Sequence, residues 1–127
     1  MTQRETKMAH RAPHAVVHLE LRCGNLASAC GFYTRLFAWR AERLHAGSAE
    51  YTTLTLGGRI GGGLVEHETE HAYWLPYVEV ADIDGVVERA VQLGASTLLE
   101  PREGPVGWRS VLAAPDGGMC AVWQPKP

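Results

Sequence analysis

VVHLELRCGNLASACGFYTRLF, residues 16–37, and LPYVEVADIDGVVERAVQLGA, residues 75–95, are two copies of one pattern. Each is an alternating strand that runs into a capped amphipathic helix. Val17, Leu19 and Leu21 share one face of the first strand, and His18, Glu20 and Arg22 the other. Asn25 caps a helix predicted over 26–37, with Leu26, Ala29, Tyr33 and Leu36 on one side. Asp82 caps a second helix with the stripe Ile83, Val86, Val87, Ala90 and Val91, which Gly94 ends in a left-handed conformation. Short strands follow each helix, near 40–45, 50–56 and 59–65, then near 96–100, 108–113 and 119–124. Their turns rhyme as well, with Leu56-Gly57-Gly58-Arg59-Ile60 answering Pro115-Asp116-Gly117-Gly118-Met119. The predicted fold is α+β: two βαβββ modules in a curved mixed sheet around a shared cavity.

The periodicity divides the chain into a flexible tail at 1–14 and one domain at 15–127. Within the domain, module one covers 15–66, a polar linker 67–73, and module two 74–124. The 127 residues suffice to bury a core without disulfides or metal. A net charge of −2, with Lys and Arg scattered, excludes the basic stripe of a nucleic-acid surface. No apolar run approaches the roughly 20 residues of a membrane helix. The polar start is no secretion signal, so cytoplasm is the expected location. Cys23, Cys30 and Cys120 read as small buried hydrophobes with free thiols.

Superposing the copies through their caps puts Leu75 on His18, Tyr77 on Glu20 and Glu79 on Arg22. Each helix needs an apolar partner and takes the Val17, Leu19, Leu21 face, so His18, Glu20 and Arg22 are expected to look into the cavity. His18 titrates near neutrality, and Glu20 two residues along can orient it, so the pair is a candidate for proton transfer. The bland reading of His18 is a strand histidine that only touches a ligand. Glu20 is either a general base or half of an internal ion pair with Arg22 or Arg109. Gly61-Gly62-Gly63 implies a close backbone approach or room for a flat ligand. Tyr51, Tyr77 and Trp108, the last beside the Gly104–Gly107 loop, suggest an aromatic ligand, whereas Trp39 and Trp123 read as structural or as subunit contacts. Glu66 shares the parity of Gly62 and is expected at the cavity rim. His67-Glu68-Thr69-Glu70-His71 matches a zinc-protease string but lacks the helix that chemistry needs, and reads as a solvated linker.

Four stretches carry a family resemblance: CGFYTRLFAW, GGRIGGGLVE, WLPYVEVADIDGVVERAVQLGA and VGWRSVLAAPDGGMCAVW. Through them the chain resembles the vicinal-oxygen-chelate superfamily, which includes glyoxalase I, bleomycin-resistance proteins, fosfomycin-resistance enzymes and extradiol dioxygenases. Within it the chain is most similar to the small glyoxalase-like proteins of actinobacteria. The resemblance implies a homodimer in which modules are exchanged between subunits. It also implies metal-ligand positions on strands one and four of each module, which map to His18, Gly62, Leu75 and Ala121. Only His18 can ligate, so neither metal nor other cofactor is expected, and the other three positions become ligand contacts.

The resulting expectation is a metal-independent isomerase, cyclase or hydrolase acting on an aromatic or carbonyl natural-product-like molecule. His18 and Glu20 would be catalytic. Arg22, Tyr51, Gly62, Glu66, Leu75, Tyr77, Glu79, Trp108, Arg109 and Ala121 would contact the ligand. One alternative is a protein that binds an antibiotic or pigment by shape alone. Another is a metal-dependent glyoxalase- or dioxygenase-like enzyme.

Overall fold

The computed structural model describes residues 13–46 and 49–127. Through residue 12 the expected tail lies outside them. The chain divides into two compact units, one of residues 17–77 and one of 78–127 with the end of the amino-terminal segment. Among the described residues, eight strands and two helices follow in the expected order: β1 (Val16–Cys23), α1 (Leu26–Phe37), β2 (Arg40–Ala46), β3 (Ala49–Thr55), β4 (Gly61–Glu66), β5 (Tyr73–Glu79), α2 (Ile83–Gln92), β6 (Ser96–Glu103), β7 (Gly107–Ala113) and β8 (Met119–Pro125).

In the first unit the strands lie in the order β2, β3, β4, β1, with the start of β5 next to β1. β1 runs parallel to β4 while β2–β3 and β3–β4 are antiparallel, so the sheet is mixed. Asn25 caps α1 by accepting from the Ser28 amide at 2.9 Å. Leu21, Cys23, Leu54 and Leu64 form the core beneath α1, and Leu26, Ala29, Cys30 and Tyr33 pack onto it. Trp39 stacks on Tyr33 at 5.9 Å, and Trp74 meets both rings edge-on. Leu36, expected on the packed stripe, is instead 57% exposed, as are Phe32 and Phe37 to a similar degree. The helix rests on the sheet through its amino-terminal two turns, and its last turn rises off the core.

The second unit repeats the order as β5, β8, β7, β6. Asp82 caps α2 by accepting from the Gly85 amide, and the Gln124 side chain accepts from the Ile83 amide at 2.8 Å. Two of the orphan donors of the first helical turn are thereby satisfied. Val80, Ile83, Val87, Leu112 and Val122 form the core, with Val86 and Ala90 packed against it. Val91 belongs to the predicted stripe but is exposed. Gly94 ends the helix at φ 100°. The register of β6 on β7 shifts twice between Thr97 and Arg102, and the fully buried Ser110 hydroxyl donates to the Leu99 carbonyl across that irregular stretch.

No helix among the described residues is long and apolar enough to cross a membrane. The His67–His71 string lies in a loop, where the Thr69 hydroxyl donates to the His71 carbonyl.

Candidate functional site

β1 pairs with β4 without a break from His18 to Cys23, so its alternation is uninterrupted. Leu21 and Cys23 point under α1. His18, Glu20 and Arg22 therefore share the opposite face. Tyr73, Leu75 and Tyr77 of β5 lie on that face too, with Leu75 completely buried.

These side chains form one polar group. Arg22 Nε donates to Glu20 Oε1 at 2.9 Å, and the Tyr77 hydroxyl donates to Glu20 Oε2 at 3.2 Å. Both oxygens of a carboxylate that is only 8% exposed are thus engaged. Of the two readings open for Glu20, the geometry is that of the internal ion pair with Arg22. Burial works against the Arg22 charge, but the hydrogen bond and charge of Glu20, helped by Tyr73 and Tyr77, outweigh it and raise the guanidinium pKa. A buried charge held by two partners is a fixed element of the fold.

His18 is placed differently. Its ring meets Tyr77 edge-on, with centroids 5.2 Å apart. It lies over β4, where a Cβ on Gly61 would stand 2.9 Å from Nδ1 and one on Gly63 would stand 3.3 Å from Nε2. The glycines thus make room for the histidine itself. Neither ring nitrogen has a hydrogen-bond partner among the described residues, and neither is sealed from solvent. Burial lowers the His18 pKa from its ordinary 6.5, and the Glu20 charge opposes that shift only in part. At neutral pH the ring is therefore an uncharged imidazole with a nitrogen lone pair to offer.

Several expected contacts fall elsewhere. Gly62 has the opposite parity to His18: a Cβ there would run into the Leu54 carbonyl and stand 2.7 Å from Leu56. Glu66, four residues on, also lies on the α1 side, where its charge is felt by Cys23. The slip of one residue arises in the turn before β4. That turn carries two glycines with positive φ, at 92° and 67°, whereas its counterpart before β8 carries only Gly117. The two hairpins are nevertheless equally long, since the core residues Leu54 and Leu64 stand ten apart as do Leu112 and Val122, so matching the turns by their glycines sets β4 off by one and reverses every face in it. Trp108 is not a lid residue: it packs on the core beneath α2, and Lys126 Nζ sits 5.5 Å over its ring.

Tyr51 has the parity of the His18 face and is 46% exposed. In the second unit Glu79 lines a hollow of about 340 Å3 with His14 and Gln124. Arg109 pairs with Trp123, and the fully buried Ala121 with Val111, on the sheet face away from α2. Tyr73, which supports Arg22, is a site residue that the sequence reading missed, although its parity with Tyr77 would have found it.

The donor set does not fit a divalent ion. No group of three His, Cys, Asp or Glu converges among the described residues, and Gly61 and Gly63, which replace Gly62 on the His18 face, have no side chains.

The profile of the family described as a glyoxalase-like domain matches residues 16–122. The anthracycline biosynthesis protein DauV of Streptomyces sp. (strain C5) is 26% identical over 92% of the chain and 49% of its own length. The chain thus spans about half of that relative. Among solved structures, the hypothetical protein BH1468 from Bacillus halodurans C-125 superposes with a TM-score of 0.68 at 13% identity, over 91% of this chain and 97% of that one. Methylmalonyl-CoA epimerase from Mycobacterium tuberculosis superposes with a TM-score of 0.62 at 15% identity, over 93% and 94%. At these identities the two structures share the fold.

Proposed function

The chain belongs to the glyoxalase-like domain family, and from that membership we propose a metal-independent tailoring enzyme that moves a proton within an aromatic or carbonyl-bearing small molecule. The observation that carries the reading is His18, an uncharged imidazole whose nitrogens have no partner among the described residues. An imidazole nitrogen takes a proton from an acidic carbon or hydroxyl of the substrate, and the imidazolium returns it at another atom. An isomerisation of this kind needs no co-reactant. Glu20 stabilises the imidazolium through its charge, and Arg22 and Tyr77 keep that carboxylate in place. In this reading His18 is catalytic and Glu20 is a positioning residue. Metal independence is part of the proposal and rests on the donor set, since His18 alone of the mapped positions can ligate. The Streptomyces relative, named for anthracycline biosynthesis, supports a natural-product-like substrate. A homodimer in the cytoplasm completes the proposal, and light scattering that returns the 13.9 kDa monomer would remove the dimer.

The second reading, binding without turnover, is favoured by one observation: of the polar β1 side chains on this face, His18 alone lacks a hydrogen-bond partner among the described residues, since Glu20 is engaged at both oxygens. Metal-stripped protein incubated with polycyclic aromatic metabolites separates the two. Product formed without added metal and lost in His18→Ala supports catalysis. Tight binding of unchanged compound, little altered in His18→Ala, supports sequestration. Turnover only with added divalent metal contradicts both.

A further inference from the structure

The side of the first unit away from His18 carries a hollow of about 650 Å3 between α1 and the outer strands. Its origin is local. Ala27 and Gly31, one turn apart on α1, face Ala41 and Thr52 of β2 and β3, and four small residues leave the space unfilled. The volume lies within the roughly 300–1,000 Å3 typical of small-molecule pockets.

Thr52 marks it as more than a packing gap. The residue is only 8% exposed, yet its hydroxyl has no hydrogen-bond partner among the described residues. No fully enclosed side-chain nitrogen or oxygen among those residues lacks a partner, so the hydroxyl oxygen opens onto the hollow that Thr52 lines. A hydroxyl that opens onto the hollow with no protein partner is able to donate to a ligand carbonyl there. Leu26 and the Cys30 thiol share the walls with Asn25, whose side chain caps α1, and with Glu42, whose pairing with Thr53 sets it on the opposite sheet face, while Arg43 and Glu66 line the hollow with charges of opposite sign. That balance gives no field favouring an ion.

We propose that this hollow is a second ligand site, distinct from the His18 face, for a neutral apolar molecule bearing a carbonyl that accepts from the Thr52 hydroxyl. The site stands independently of the proton-transfer reading. It does adjoin that face through the backbone, because the Thr52 carbonyl lies 3.5 Å from where a Cβ on Gly63 would be, and Gly63 also abuts His18.

The full-length protein, isotopically labelled, is titrated with 1-indanone, a neutral ketone, and in parallel with benzoate and benzylamine. Indanone is expected to shift the amide signals of Ala27, Cys30, Gly31 and Thr52 and to slow alkylation of Cys30. Thr52→Val, which keeps the shape and removes the hydroxyl, should weaken it about five-fold, the equivalent of one ordinary hydrogen bond. Ala27→Leu should fill the hollow and abolish the shifts. Gly31→Leu serves if that variant fails to fold, since a Cβ at Gly31 would meet only the flexible end of Arg35, at 3.2 Å. His18→Ala should change none of this. Shifts confined to the surroundings of His18 and Tyr77, no response at millimolar indanone, or tighter binding of either charged probe would overturn the proposal.

Discussion

Replacing Arg22 by methionine strands a carboxylate. Methionine keeps most of the length and apolar stem of the side chain, so what is lost is the 2.9 Å bond to Glu20 Oε1 and the charge that faces it. Both side chains are largely buried, at 15% and 11% exposed, so solvent screens the pair little. Removing one partner of such a pair costs about 3–5 kcal/mol. The Tyr77 hydroxyl still donates to Oε2, which places the expected loss near the lower end, about 3 kcal/mol. For a domain of this size that lowers the melting temperature by about 10 °C. Glu20→Gln leaves Arg22 with the support of Tyr73 and should cost about 1 kcal/mol. With both changes no charge is stranded, so the double variant should fall short of additivity by about 2 kcal/mol. Urea unfolding followed by tryptophan fluorescence measures all four corners of the cycle. If Arg22→Met unfolds within 1 kcal/mol of the parent and the cycle is additive, Glu20 does not depend on this pair and its assignment as a positioning residue fails.

Titration of His18, followed by its ring proton resonances, should show a pKa below 6.5, and Glu20→Gln should lower it further by removing a charge that opposes burial. The sign for stability follows: His18 binds more protons unfolded than folded, so its contribution is complete above 6.5 and is lost as pH falls toward the folded value. The rate under the proposed mechanism should fall over the same acid limb. Gly62→Ala should destabilise by about 3 kcal/mol or more, because the new methyl meets the Leu54 carbonyl and backbone cannot yield as a side chain can. Calorimetry checks this. Asp82→Ala should cost about 1 kcal/mol in the same assay through loss of the cap on α2.

Most of the fold was legible because it rests on local rules. Asn25 and Asp82 cap the helices they were expected to cap, and the alternation of β1 separates Leu21 from Glu20 as the pattern requires. What local rules do not contain is register. Whether Gly61 or Gly62 stands beside His18 depends on how the two hairpins align, and matching them by their turn glycines missed by one. Trp108 misled for a related reason: beside a glycine loop it suggests a lid, but its even parity in β7 puts it with Leu112 under α2. The choice between ion pair and base for Glu20 needed β1 and β5 side by side, since Tyr77 lies 57 residues away.

The glycines of β4 have different neighbours on the two sides of the sheet, and this restricts how the segment can change over evolutionary time. Gly62 is fixed by backbone and Leu56, so no single change elsewhere releases it. Gly61 and Gly63 are held small by His18 alone on their own face, apart from carbonyls at ordinary contact distance. A lineage that exchanges His18 for a smaller residue thereby frees both positions, and alanine or serine is expected to appear there together with that exchange. Transplanting this histidine into a sister scaffold would accordingly require three substitutions, with the two glycines installed before the histidine.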